Sequence, residues 1–293
     1  MKNFVIPEAE YMYSGHLACS GCGASLGMRL ALKALGEQTM VVLPACCWSI
    51  IAGPFPYSTL KLPLFHTAFE TAAATASGLR AALDVKGKRE VTVVAWAGDG
   101  GTFDIGLQAL SGAAERNENF IYICYDNEAY MNTGIQRSSA TPQGAWTTTT
   151  PQGQLENRPK KDIDQIMAAH GIPYIATASV AYPDDLIRKI EKAKNMQGLR
   201  FIHLLAPCPP GWKISSQETI QMARLAVKTK VFPLYEIEDG ERYTLGLEPE
   251  ALPVRDYFER QGRFRYLQPA DYERIQREVD RRFEKLKAKS QGH

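Results

Sequence analysis

The stretch VTVVAWAGDGGTFDIGLQALSGAAERNENFIYICYDN, residues 91–127, holds two near-continuous apolar runs joined by a helical pattern. Val91 to Ala97 predicts a parallel strand covered on both faces, because a strand with one wet face would alternate apolar with polar residues. Phe103, Leu107, Leu110 and Ala114 follow at i, i+4, i+7 and i+11, the spacing of a helix laid back on a sheet, and Phe120 to Tyr125 is the next strand. A crossover between parallel strands puts both carboxyl ends on one edge. Asp99 and Asn127 should therefore emerge side by side, where open α/β sheets place ligands.

The alternation continues outward. Leu26, Leu30, Ala31 and Leu35 predict a helix that Gly36 stops, opened by the loop Gly15 to Gly23. Thr39 to Leu43 predicts a short buried strand leaving through Pro44 to Cys47, and the Ala-rich run Thr67 to Leu83 predicts a helix with a close neighbour. On the other side, Ile163 to His170 and Asp184 to Met196 predict helices. Pro173 to Ala178 and Arg200 to Ala206 predict strands, the second ending at Pro207 and Cys208. Residues 131–159 form a polar stretch longer than an ordinary connection, and their place beside Asn127 favours a functional role. After Trp212 come a helix near Gln217 to Lys228, a turn at Gly240 and a charged end. There Tyr272, Ile275, Val279, Phe283 and Leu286 share one stripe, which packs on this chain or docks on a partner. The fold expected is α/β: a doubly wound, mainly parallel sheet with helices on both faces, plus a C-terminal extension.

Composition narrows the classes of function. With 293 residues, 45% of them apolar, the chain can build one large domain or two small ones. A net charge of +2 with interspersed signs gives no basic face, so nucleic acid is excluded as a partner. No run approaches the ~18 apolar residues of a membrane span. The start Met1-Lys2-Asn3-Phe4 has no secretory pattern, so the cytoplasm is the expected compartment and no membrane partner is expected. There, six cysteines are reduced, metal-bound or buried rather than paired.

Two constellations carry chemistry. Cys19 and Cys22, two residues between them, can reach one metal centre, and Cys47 and Cys208 can complete four thiolates, which suit either a [4Fe–4S] cluster or structural zinc. Plain buried thiols are the third option, and Cys124, inside an apolar strand, is read as core. The turn Gly98-Asp99-Gly100-Gly101 fails the dinucleotide pattern because Phe103 stands where a third glycine belongs, and no Gly-Lys-Ser/Thr makes it a P-loop. An acid in such a turn repels a bare diphosphate but suits one bridged by Mg²⁺. The Asp99 carboxylate, the Asn127 amide oxygen, a carbonyl near Ala129, two phosphate oxygens and a water would make up the ~6 oxygens that Mg²⁺ takes.

With these motifs, the segments GHLACSGCGASLGMRLALKALG, HTAFETAAATASG, AGDGGTFDIGLQALSGAAERNENFIYICYDNEAYMNTGIQRSSATP, HGIPYIATAS and LLAPCPPGW resemble the β subunit of the pyruvate:ferredoxin oxidoreductase family. These are thiamine-diphosphate 2-oxoacid oxidoreductases, and the likeness runs to about Glu238. It implies a [4Fe–4S] cluster on Cys19, Cys22, Cys47 and Cys208, and Mg²⁺ on Asp99, Asn127 and the Ala129 carbonyl. It further implies a diphosphate at Gly98, Gly100 and Gly101, and a substrate-facing Asn132. Residues 1–230 would form the thiamine-diphosphate and Mg²⁺ domain with its cysteine loop, and 231–293 an extension docking on partner subunits.

The reaction so implied is oxidative decarboxylation of a pyruvate-type 2-oxoacid, with electrons leaving singly and the acyl group passing to coenzyme A. An α subunit would supply the activating glutamate, since Glu70 reads as a surface or interface residue. Further subunits, one of them ferredoxin-like, and ferredoxin or another electron acceptor would complete the system. One stretch departs from the family: TLKLPLFHTAFET puts Leu64 and Phe65 where pyruvate-type subunits commonly have a Trp-containing segment. This admits a branched or aromatic 2-oxoacid such as 2-oxoisovalerate or phenylglyoxylate. A thiamine decarboxylase without redox chemistry and a non-catalytic zinc-stabilised subunit are the other readings. His16 and His66 are read as structural.

Overall fold

A computed structural model describes residues 6–150 and 155–292. The start Met1 to Phe4 and positions 151–154 of the long polar stretch lie outside the described residues. The elements run α1 (Gly23–Leu35), β1 (Thr39–Pro44), α2 (Cys47–Ile51), β2 (Leu64–Thr67), α3 (Ala72–Val85), β3 (Thr92–Gly98), α4 (Leu107–Glu115) and β4 (Ile121–Asp126). There follow α5 (Ile163–Ala168), β5 (Tyr174–Ser179), α6 (Pro183–Lys194), β6 (Arg200–Leu205), α7 (Pro209–Trp212) and α8 (Thr219–Lys228). Last come β7 (Tyr235–Glu238), β8 (Arg242–Leu245), α9 (Val254–Phe258) and α10 (Pro269–Gln291).

The strands form one sheet in the order β2-β1-β3-β4-β6-β5-β7-β8. The first six are parallel, and β7 and β8 add an antiparallel edge. Steps across the sheet in one direction use α3, α4 and α5 on one face, and the return steps use α2 and α6 on the other. A fixed hand of crossover demands that change of face. Successive residues of β3 alternate between the two cores: Val94 and Trp96 pack with α1 and α6, Val93 and Ala95 with α3 and α4. The expected doubly wound sheet is borne out.

Three local differences have physical causes. Thr67 does not open the Ala-rich helix but closes β2, an edge strand of four residues set by pairing with β1. The turn after Asp99 is a π-helical coil over Gly100–Asp104 before α4 begins. Gly106 is forced at its end, because a Cβ there would stand 2.0 Å from the Gly101 carbonyl oxygen. Lastly, the division expected at residue 230 falls between α8 and β7, and the strands beyond it join the same sheet.

A third core joins Leu205 and Trp212 to Tyr257, Phe258 and Phe264 and to Ile275 and Val279 of α10. The α10 stripe thus packs on this chain. Among the described residues no helix is long and apolar enough to cross a membrane.

Candidate functional site

Parallel register gathers the candidate residues. Gly98 is paired with Tyr125, and Asp126 with Leu205, so Asp99, Asn127 and Cys208 leave the sheet on one edge. Pro44, paired with Thr67, releases Cys46 and Cys47 on the same edge.

Asp99 is 1% exposed, and its Oδ2 accepts a 2.5 Å hydrogen bond from Ser138 Oγ. One terminal atom of the Asn127 side chain lies 2.9 Å from Asp99 Oδ1 and 3.0 Å from the Ala129 carbonyl oxygen. As nitrogen, that atom donates to both oxygens. As oxygen, it makes a third acceptor facing two others, an arrangement that a bound cation would relieve. Octahedral Mg²⁺ with bonds of ~2.0–2.1 Å spaces neighbouring oxygens ~2.9 Å apart, so reversal of one amide converts a self-satisfied cluster into a ligand set. Burial pushes the Asp99 carboxyl well above the usual carboxylate range, and the nearby Asp126 charge adds to this. A buried carboxylate short of positive charge is what a divalent cation would relieve.

Glycine at 100 has a steric cause as well: a Cβ there would lie 2.2 Å from Tyr130 Cε1. The Tyr130 ring meets Phe69 edge-on at 5.9 Å, and its hydroxyl donates to Asp104 Oδ2 at 2.8 Å, which fastens the strand-exit turn to the π-helical coil.

The cysteine loop is fastened to the segment after β6. The Gly23 amide donates to the Pro207 carbonyl at 3.1 Å, and Thr219 Oγ1 to the Gly21 carbonyl at 2.6 Å. A Cβ on Gly23 would lie 2.8 Å from the Pro207 backbone nitrogen. Cys47 opens α2. Burial first, then the charges of Cys208, Cys46 and Cys22, raises its thiol. Burial, with Cys22 and Cys19 nearby, pushes Cys208 up to about 12. The structure thus brings all four expected cysteines into one neighbourhood, Cys19 exposed and the other three half-buried. Cys46 turns away, capping α2 and facing Tyr125, and Cys124 is core. Among the described residues no three or more His, Cys, Asp or Glu side chains converge closely enough for a single metal ion.

Asn132 stands exposed in the loop after the turn, Glu70 is exposed, and Phe65, on the edge strand β2, is 49% exposed. His16 and His66 are exposed too.

Beneath Asn127 lies a buried ionic network that the sequence did not disclose. Lys160 Nζ reaches Asp126 Oδ2 at 2.5 Å and Glu128 Oε1 at 2.9 Å. Arg263 reaches Glu128 Oε2 at 2.5 Å. His203 bridges Asp126 at 2.8 Å and Asp164 at 3.0 Å. Burial opposes the charge on His203, but Asp164 and Asp126 outweigh it and raise the imidazole to about 9. Burial likewise opposes ionisation of Asp126, yet Lys160 and His203 hold it down at about 2. The only signal in the sequence was the acids flanking Asn127, because their partners lie 32 to 135 positions away.

Residues 47–204 match the domain described as "Thiamine pyrophosphate enzyme, C-terminal TPP binding domain". The chain is 54% identical over 297 residues to ketoisovalerate oxidoreductase subunit VorB of Pyrococcus furiosus, spanning 98% of this chain and 95% of that one. It is 53% identical over 278 residues to pyruvate synthase subunit PorB of Methanothermobacter thermautotrophicus, spanning 94% and 96%. A solved 2-oxoglutarate:ferredoxin oxidoreductase from Magnetococcus marinus shares the fold, with a TM-score of 0.59 over 76% of this chain and 81% of that chain at 24% identity. Similarity of this extent, over a thiamine-binding domain that contains Asp99 and Asn127, means that the chain belongs to the β subunits of the thiamine-diphosphate-dependent 2-oxoacid:acceptor oxidoreductases.

Proposed function

We propose that this chain, joined to partner subunits, oxidatively decarboxylates a pyruvate-type 2-oxoacid to acyl-coenzyme A and CO₂, passing electrons singly to a [4Fe–4S] cluster on Cys19, Cys22, Cys47 and Cys208. The carrying observation is one sheet edge on which the Asn127 side chain stands 2.9 Å from Asp99 Oδ1 and 3.0 Å from the Ala129 carbonyl oxygen, beside four gathered cysteines. Four thiolates around a multi-iron cluster need not converge on a point as they do at ~2.3 Å from zinc, which suits this arrangement better than the zinc alternative.

In this reading Asp99, Asn127 and the Ala129 carbonyl hold Mg²⁺, and Gly98, Gly100 and Gly101 keep side chains off the diphosphate. When bound, thiamine diphosphate supplies the carbanion chemistry and the cluster a one-electron acceptor. The chain's own residues bind and orient. Ser138 fixes one Asp99 oxygen and leaves the other to the cation, and Trp212 Nε1 holds the Asn127 carbonyl at 2.8 Å. The raised thiols of Cys47 and Cys208 must lose protons to ligate iron, so binding releases protons. Asn132, open to the loop mouth, faces substrate. The activating glutamate comes from an α subunit, consistent with an exposed Glu70 on this chain. A ferredoxin-like subunit, ferredoxin or another acceptor, coenzyme A and a cytoplasmic setting complete the proposal. The 231–293 segment offers the outer face of α10 to partners.

Relatives named for ketoisovalerate and for pyruvate are almost equally similar, at 54% and 53%. A branched or aromatic 2-oxoacid is therefore the second reading, with Phe65 as the exposed residue through which a neighbour could select it. The test is anaerobic purification of the assembled complex, metal analysis and viologen-linked assays with pyruvate, 2-oxoisovalerate and phenylglyoxylate. Iron at about four per chain above the partners' own complement and coenzyme-A-dependent reduction are expected. Zinc alone, or decarboxylation without viologen reduction, would overturn the proposal.

A further inference from the structure

Glu128 stands between two proposed cation ligands, the Asn127 side chain and the Ala129 carbonyl, and its backbone is left-handed at φ 70°. That conformation is costly for a residue with a Cβ, and Gly or Asn would adopt it more readily. Glutamate there also buries a charge: its side chain is 4% exposed. Its polar atoms are all engaged. The amide donates to Asp126 Oδ1 at 2.9 Å, the carbonyl accepts from Thr141 Oγ1 at 2.8 Å, Oε1 meets Lys160 at 2.9 Å and Oε2 meets Arg263 at 2.5 Å. Lys160 lies just past the long polar stretch and Arg263 in the segment between α9 and α10. Arg263 also lies over the Trp212 ring at 4.1 Å, and Trp212 in turn holds the Asn127 carbonyl. Trp212 ends α7, whose N-cap is Cys208.

We infer that Glu128 is a positioning residue: clamped by Lys160 and Arg263, it holds the turn 126–129 in the left-handed bend that aims the Ala129 carbonyl and the Asn127 side chain at Asp99. This rests on the proposed cation site. A strained backbone persists only where its surroundings over-determine it, and a buried Arg263 and a half-buried Lys160 on one buried carboxylate do so. The same clamp ties the turn, through Arg263 and Trp212, to the segment that carries Cys208.

The test uses the assembled complex depleted of thiamine diphosphate and divalent metal. Mn²⁺ serves as the probe, followed by electron paramagnetic resonance with and without thiamine diphosphate, alongside thermal unfolding and kcat at saturating cofactor. Glu128→Gln, which keeps length and loses charge, is expected to weaken Mn²⁺ and cofactor binding about 10-fold or more, the effect typical of groups that orient metal ligands. Removing one partner of these buried ion pairs should also lower the unfolding temperature, so Mn²⁺ affinity is read at a temperature where both proteins are folded. The loss should be larger in affinity than in kcat at saturating cofactor. Arg263→Lys, which keeps the charge, should lose less, and Lys160→Met combined with Glu128→Gln should lose less than the sum of the two single changes. Unchanged Mn²⁺ affinity in Glu128→Gln, or a collapse of kcat with affinity intact, overturns the inference. If Glu128→Gln does not fold, an Arg263→Gln variant, which loses the charge, that is folded and has wild-type Mn²⁺ affinity overturns it as well. Failure of the cation site itself is read separately, as wild-type complex that binds no Mn²⁺ at Asp99.

Discussion

Asp99 is costly for folding and, in the proposed cation site, needed for binding. It is buried, carries its carboxyl well above the usual range and faces the Asp126 charge. Asp99→Asn keeps the shape and removes the burden, so the cofactor-free chain should be as stable as wild type or more so. Mg²⁺-dependent thiamine diphosphate binding should fall by roughly 100-fold or more, since a first ligand outweighs its supporting shell. Calorimetric titration beside thermal unfolding checks both halves, and a variant that binds normally would defeat the ligand role. Asp99, Asn127 and the four cysteines were legible as candidates because each residue type has few chemical uses at a strand exit. Lys160, Arg263 and Ser138 were not legible, because nothing in a lone Lys, Arg or Ser says which distant acid it will meet.

Elements decide whether those residues meet. Helix α1 starts so close to the chain after β6 that Gly23 has no room for a Cβ beside Pro207. Gly23→Ala should push the Cys19–Cys22 loop off Cys208, so the assembled complex should retain its far-ultraviolet circular dichroism but lose the iron proposed for this chain. Full iron occupancy would show that the loop can give way elsewhere. Strand β6 carries a second consequence through His203, which faces Asp126 of β4, Asp164 of α5 and, beyond Asp164, Tyr235 of β7, with Lys160 on the far side of Asp126. Its folded value of about 9 exceeds the ordinary 6.5, so its contribution is fully present below pH 6.5 and is lost as pH rises through about 9. The loss should be up to about 3 kcal/mol. His203→Gln should start less stable and flatten that limb, as read by urea unfolding at pH 6, 7.5 and 9. The pattern of β6 spoke only of a buried strand, since periodicity reports burial and not ionisation.

The whole molecule ties the C-terminal segment to the site. Phe283 of α10 is 3% exposed, and the end of the chain covers Leu205 and Trp212 at the edge that bears Cys208. Phe283→Ala should cost roughly 3–5 kcal/mol. A chain ending at Lys230 should bind hydrophobic dye and lose cooperative unfolding, whereas a cooperative, dye-silent fragment would show that residues 1–230 stand alone as a domain. The sequence by itself determined the α/β class, the strand exits that bear the candidate residues and the family, because apolar runs fix burial and few families combine a Gly-Asp-Gly turn with cysteines so spaced. Tertiary structure alone decided the strand order, the edge strand β2, the hairpin β7–β8 and the clamp on Glu128. These depend on contacts between residues far apart in the chain, and local periodicity carries no information about which distant partner will supply the compensating charge or hydrogen bond.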